Sequence, residues 1–210
     1  MDDKSKIILN KEFNEFILTY ENSIMVEIFY IQLITKFSCK CGYITNRFQK
    51  VLDLPILIPE SINKFSLIEL FDYNFKKEVV EFNTKCIKYN NINKHLKKVK
   101  ISIIPDTLII SLQRFDKIKK IKNVSAISIT NKINIVKYIY NEIIRDNEIE
   151  YELYGIINHE GSLDFGHYYS FIKSFASKMW YNYNDVDVNE INFNSDYSNK
   201  VYILLYTKKI

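Results

Sequence analysis

Glycine and proline are scarce in this chain, with four of the first and three of the second among 210 residues. Flexible linkers, collagen-like repeats and low-complexity tails need far more of both, so a single packed domain is expected. Cysteine is also scarce and odd in number: three residues, with an N-terminus, MDDKSK, that does not read as a secretion signal. That combination argues against a disulfide-built secreted fold and for a reducing compartment, the cytoplasm or the nucleus. No apolar run approaches the roughly 20 residues that span a bilayer, and no membrane partner is expected. An excess of one charge is missing too, since 29 basic residues against 25 acidic ones leave a formal +4. The densest lysine run, Lys94 to Lys100, reads as a solvated face, and no nucleic-acid partner is expected.

What the chain has in quantity is tyrosine (16) and phenylalanine (14), with abundant isoleucine. Such residues suit long strands. In chain order, Phe13, Phe16, Ile17 and Tyr20 recur at helical spacing, which predicts a short amphipathic helix. Val26 to Phe37 reads as a strand, Cys39-Lys40-Cys41-Gly42 as a tight corner, and Tyr43 to Leu54 as the returning strand of a long hairpin. Pro55 and Pro59 close that arm, because proline cannot donate into a ladder. Ser66 with Glu69 three residues on predicts a capping box opening a helix over Leu67 to Phe71. Val79 to Tyr89, Lys98 to Ile103, Thr107 to Phe115 and Lys200 to Tyr206 read as strands. One or two more are expected near Ile133 to Ile139. The expected fold class is α+β: one antiparallel, β-rich domain with few helices.

The least ordinary stretch is Gly155 to Asp185, GIINHEGSLDFGHYYSFIKSFASKMWYNYND. It holds two of the three histidines, three of the four glycines and the only tryptophan. Alternation on both sides of the glycines predicts two strands about a turn, with His167 at the mouth of the second. Asn184 and Asp185 end a third short strand that could fold back against His167. An imidazole oriented by an amide or a carboxylate is two-thirds of a thiol-hydrolase site. The nucleophile is the missing third.

These blocks, taken together, resemble the ubiquitin-specific proteases. The resemblance runs collinearly from about Glu27 to Tyr206, through IFYIQLITKFSCKCGY, SLIELF, IPDTLIISLQRF, YELYGIINHEGSLDFGHYYSF, WYNYNDVDV and KVYILLY. It implies a papain-like cysteine-protease fold with a β-rich palm (about 101–210) and a protruding hairpin of fingers (about 26–100). Residues 1–25 are then a helical remnant, and the thumb helices are largely missing. By position, His167 would be the general base, Asn184 the residue that orients it and Asp185 the neighbouring acid. Gly166, Tyr168 and Arg114 would contact the substrate tail, Arg114 having the alternative of anchoring a strand end through an ion pair. His159 matches a position that is not the base, and a turn-stabilising role is expected for it.

The family's nucleophile belongs to a cysteine block upstream of everything matched, and residues 1–26 contain neither cysteine nor glycine. The expectation is a ubiquitin-specific-protease-like domain, inactive as an isolated chain. Its alternatives are a non-catalytic module for ubiquitin or a ubiquitin-like protein, or half of a split enzyme whose thumb comes from a partner chain. Cys39, Cys41 and Cys86 fall at the family's finger-zinc positions. The first pair is one residue short, and Tyr89 replaces the partner of Cys86. A zinc would need His95 or another fourth ligand, so free thiols and no cofactor are expected.

Overall fold

The computed structural model describes residues 12–13, 15–16, 19, 23–60, 64–85, 92–116, 118–140, 149–194 and 196–209. The strands in chain order are β1 (Ile31–Cys39), β2 (Ile44–Val51), β3 (Leu54–Leu57), β4 (Lys64–Ser66), β5 (Glu78–Lys85) and β6 (Ile92–Ile103). They continue with β7 (Thr107–Gln113), β8 (Phe115–Asp116), β9 (Ile121–Lys122), β10 (Ala126–Ser128) and β11 (Lys132–Asn134). The last six are β12 (Glu150–Gly161), β13 (Gly166–Lys173), β14 (Trp180–Asn184), β15 (Asp187–Ile191), β16 (Tyr197–Ser198) and β17 (Val201–Lys208).

Contacts divide the chain into two interleaved units. One gathers Met1–Leu52, Phe75–Pro105 and Val136–Asn147; the other gathers Asp53–Asn74, Asp106–Ile135 and Glu148–Ile210. The sequence drew one cut near residue 100, whereas Asp53–Asn74 joins the second unit because β3 pairs with β7.

The first unit carries a four-stranded sheet in the order β2-β1-β6-β5. Its β1–β2 hairpin turns at the cysteine corner, where Cys39 N–H donates to the Tyr43 carbonyl (2.9 Å) and Gly42 N–H to the Cys39 carbonyl (3.0 Å). The strand expected from Val26 begins only at Ile31, because Ile24–Phe29 is a helix. Ser23 caps it, its hydroxyl accepting from Val26 N–H (3.3 Å) and its carbonyl from Glu27 N–H (3.0 Å). Val26 then buries against Tyr30, with Phe13 and Ile103 alongside. A capped turn with a buried contact outweighs the β-propensity of so short a run. The described residues before it, 12–13, 15–16 and 19, are helical, and Phe13 stacks on Phe48 with centroids 5.6 Å apart.

The second unit is built on a sheet ordered β15-β14-β13-β12-β17-β7-β3, with β11 also pairing β12. Alternation places Leu108, Ile110 and Leu112 of β7, Tyr151, Leu153 and Ile156 of β12, and Val201, Leu204 and Tyr206 of β17 in the core, each nearly inaccessible. Burying each such side chain contributes about 1.5–3 kcal/mol, an upper bound set by the unfolded reference. Two pairings depart from the expected antiparallel order: β3 on β7 and β4 on β10 are parallel. Pro55 does not end an arm but stands inside β3, opposite Ser111. β3 is the sheet edge, where a missing donor is tolerated.

The capping box forms as its residues dictate. Ser66 N–H and its hydroxyl donate to Glu69 Oε2 (2.7 and 2.8 Å), while Glu69 N–H donates to Ser66 Oγ (3.2 Å), and the helix runs on to Phe75. Ile133 to Ile139 is one strand, β11, followed by a 3-10 turn over Val136–Tyr138. The expected strand end at Cys86 to Tyr89 lies outside the described residues.

Candidate active site

β12, β13 and β14 make consecutive antiparallel pairs, so the ends of three strands converge. His167 is the second residue of β13, opposite Glu160 on β12. Asn184 closes β14, and Asp185 (φ +53°) begins the two-residue turn into β15, where Asn184 faces Asp187. The turn brings both side chains to the imidazole: His167 Nε2 lies 2.5 Å from Asn184 Oδ1 and 3.9 Å from Asp185 Oδ2. An amide oxygen only accepts, so Nε2 carries the proton and donates it. In the neutral ring the basic lone pair is then on Nδ1. The His167 side chain is about half exposed, at 49%.

Glu160 is not free to compete for the ring. Its Oε1 takes Lys200 Nζ at 2.5 Å and the Tyr169 hydroxyl at 3.0 Å, and these contacts, Lys200 foremost, hold its carboxyl below the usual range.

The opposite face of the hairpin holds the second histidine. His159 is 3% exposed and sits across from Tyr168, whose ring centroid is 4.6 Å away. Phe115 packs edge-on against it at 5.3 Å. Lys122 Nζ reaches His159 Nδ1 (3.0 Å) and donates to the carbonyls of His159 (2.8 Å) and Gly161 (3.2 Å). An ammonium only donates, so Nδ1 accepts and this ring is neutral. Burial first, and Lys122 second, push the His159 imidazole below its ordinary pKa. It braces the turn and is not placed to act as a base.

Gly166 gains a reason that differs from the expected close passage of a substrate tail. A Cβ there would lie 2.1 Å from His159 Nε2 and 2.7 Å from the Glu160 carbonyl oxygen, so the position admits no side chain. Gly161, at φ +113°, makes the turn in a conformation that L side chains rarely adopt. Tyr168 is 52% exposed, with its inner edge on His159.

Arg114 corrects the expectation. It is 1% exposed, and among the described residues it does not make the ion pair given as its alternative. Its guanidinium donates to three backbone carbonyls: Nε to Val201, and Nη1 to Asn123 and Ser125 (both 2.9 Å). Burial pulls its pKa down to about 10. It ties β17 to the segment after β9, a structural role that its apolar neighbours in sequence foreshadow.

Cys39 and Cys41 belong to the first unit. Cys39 is buried opposite His95 on β6, and Cys41 is partly exposed. Cys41 N–H points to Cys39 Sγ (3.5 Å) and Tyr43 N–H to Cys41 Sγ (3.4 Å). Cys86 lies outside the described residues, and among those described no three His, Cys, Asp or Glu side chains gather to hold a metal. Among the described residues, no thiol belongs to the unit that carries His167.

Sequence reasoning missed Lys122 and the Glu160–Lys200–Tyr169 group. A lysine two residues beyond a polar turn carries no local signal of a partner 37 residues away.

A β-rich sheet that holds an imidazole against a side-chain amide is the base-and-orienter arrangement of a papain-like thiol hydrolase. The family model of ubiquitin carboxyl-terminal hydrolases matches residues 7–206, and the chain belongs to that family. It is 30% identical over 191 residues to ubiquitin carboxyl-terminal hydrolase 25 of Arabidopsis thaliana, covering 89% of this chain and 28% of that protein. A solved structure of the yeast SAGA deubiquitinating module superposes with a TM-score of 0.81 at 26% identity, over 94% of this chain and 45% of the other. The SAGA Ubp8/Sgf11/Sus1/Sgf73 module bound to ubiquitin aldehyde gives 0.79 at 26%, over 98% and 48%. The chain thus spans about half the length of the solved chains it resembles, and less of the curated relative.

Proposed function

We propose that this chain supplies the general base of a thiol-dependent hydrolase acting at the C-terminal carbonyl of ubiquitin, and that the attacking cysteine is none of Cys39, Cys41 and Cys86. The observation that carries the reading is the bond from His167 Nε2 to Asn184 Oδ1, which leaves Nδ1 as the proton acceptor. In that chemistry Nδ1 takes the S–H proton, and the thiolate adds to the carbonyl carbon of the scissile amide. The imidazolium returns its proton to the departing amine, leaving a thioester. Water then attacks the thioester, His167 again accepting a proton, and the thiol is regenerated. Asn184 holds the ring without adding charge, and the Asp185 carboxylate lies 3.9 Å from Nε2.

Two further findings support ubiquitin as the partner: family membership, and the likeness to a module bound to ubiquitin aldehyde. Phe165 (84% exposed) and Val186 (94%) offer apolar surface in the two turns beside His167. That surface also favours a second reading, a module that binds ubiquitin without cleaving it.

A ubiquitin probe bearing a C-terminal electrophile tests the proposal. The chain alone is expected to stay unlabelled, and a companion polypeptide with the family's cysteine block is expected to become labelled in its presence. Labelling of the chain alone, lost on changing Cys39, Cys41 or Cys86 to serine, would overturn it. Labelling of the companion that His167→Ala leaves unchanged favours the binding-only reading.

A further inference from the structure

The pairing of β1 with β6 makes one face of the first unit's sheet a row of lysines. Side chains alternate across a strand, and the register sets Lys36 opposite Lys98 and Ile34 opposite Lys100. With Lys77 and Lys137 these residues line a groove of about 670 Å3, and among the described residues no carboxylate lines it. Its floor is apolar, with Ile34 and Ile139 almost inaccessible and Leu96 and Tyr140 beside them.

Elsewhere on the same sheet the lysines find partners. Lys97 pairs with Glu78 at 2.5 Å and Lys94 with Glu81 at 3.2 Å. Among the described residues, Lys36, Lys77 and Lys98 form no ion pair. Lys100 turns its ammonium onto the Lys137 carbonyl. Burial, then Lys98 and Lys137, hold its pKa below the ordinary value. Like charges directly opposite across two strands destabilise a sheet. The positive charge of Lys36, Lys98 and Lys100 over an apolar floor is therefore a cost that no ion pair among the described residues offsets.

We propose that this groove docks an extended acidic segment of a partner protein, reading acid–any–acid–any–apolar. An extended chain rises about 3.3 Å per residue, so carboxylates two positions apart fall opposite Lys100 and Lys98, which have the same spacing on β6. The next side chain on that face reaches Leu96. A nucleic acid fits less well. Among the described residues, no arginine and one aromatic, Tyr140, line the groove; bases bind by stacking on aromatic platforms, and a phosphate backbone would leave the apolar floor bare. The groove lies wholly in the first unit and does not depend on the reading of His167.

Fluorescence anisotropy with the whole chain tests this. The probe is a labelled peptide of the pattern glutamate–serine–glutamate–serine–leucine. It is compared with the same peptide carrying lysine for glutamate and with a single-stranded oligonucleotide of equal charge. The acidic peptide is expected to bind, to weaken as salt is added, and to lose roughly tenfold in affinity to Lys98→Glu while Lys94→Glu leaves it unchanged. Lys36→Ala, which removes one of two opposed charges, is expected to melt no lower than the native chain, showing that the row is not there for stability. The proposal is overturned if the acidic peptide fails to bind, binds Lys98→Glu equally well, or binds less tightly than the oligonucleotide. None of these outcomes bears on ubiquitin-probe labelling.

Discussion

The two faces of the β12–β13 hairpin carry one histidine each, and the chain treats the two imidazoles in opposite ways. His159 is sealed between Phe115, Tyr168 and Lys122, with one nitrogen accepting from an ammonium. His167 is half exposed, with one nitrogen donating to an amide oxygen. The same residue type, eight positions apart on one hairpin, serves as packing on one side and is presented half exposed against an amide on the other. The difference comes from which neighbour meets the ring, a donor or an acceptor. Gly166 is where the faces meet, because its bare Cα lets the His159 ring lie against the strand that presents His167.

The most forceful way to break this contrast is Gly166→Ala. The new methyl would meet His159 Nε2 at 2.1 Å and backbone oxygen at 2.7 Å, and neither the ring nor the carbonyl has room to retreat. A loss of about 3 kcal/mol is expected, at the upper end for overpacking, and a melting temperature roughly 10 °C lower for a chain of this size. A variant as stable as the native protein would show that the packing is looser than described. Next in size is the pair His159→Ala and His167→Ala. Emptying the buried site removes one of the three acceptors of Lys122 and opens a cavity, at a cost of about 2–3 kcal/mol. Removing the half-exposed ring is expected to change stability by no more than about 0.5 kcal/mol. Urea denaturation of both variants measures the difference, and equal losses would erase the distinction between the faces. Lys122→Met follows, at about 1–2 kcal/mol, since it leaves two carbonyls and Nδ1 of His159 without their donor.

Much of the His167 face was legible in the sequence. Glycines, an alternating run and a short aromatic strand ending in Asn184 and Asp185 are local signals, and the three strands they predict are adjacent in the sheet. Ser66 and Glu69 likewise announce their helix within four residues. The His159 face was not legible, because its determinants come from β8, β9 and β17, and no spacing rule links Lys122 to His159. Arg114 misled for the same reason: an arginine at a strand end looks like a ligand contact until the three carbonyls that surround it are seen. The helix Ile24–Phe29 and the parallel placement of Pro55 show tertiary contacts overriding propensities that were read correctly.

The smallest expected effect is also the most direct probe of the contrast, since it reads protons. Burial and Lys122 depress the His159 pKa in the folded chain, whereas unfolding returns it to about 6.5. Below that value the unfolded state binds the extra proton, so His159 contributes stability that is complete above about pH 6.5 and declines as pH falls toward the depressed folded value. Replacing His159 by the non-titrating Gln should flatten this part of the stability–pH curve, whereas Asn184→Ala should leave it intact. Nitrogen-15 shifts of the imidazoles supply the complementary measurement. At pH 8 the native His167 should show the Nε2–H tautomer, imposed by an acceptor that cannot donate. Asn184→Ala should let both tautomers of that ring appear, with His159 unmoved. If His167 keeps a single tautomer without the Asn184 amide, another group is orienting it, and the donor–acceptor rule that separates the two faces fails where it matters most.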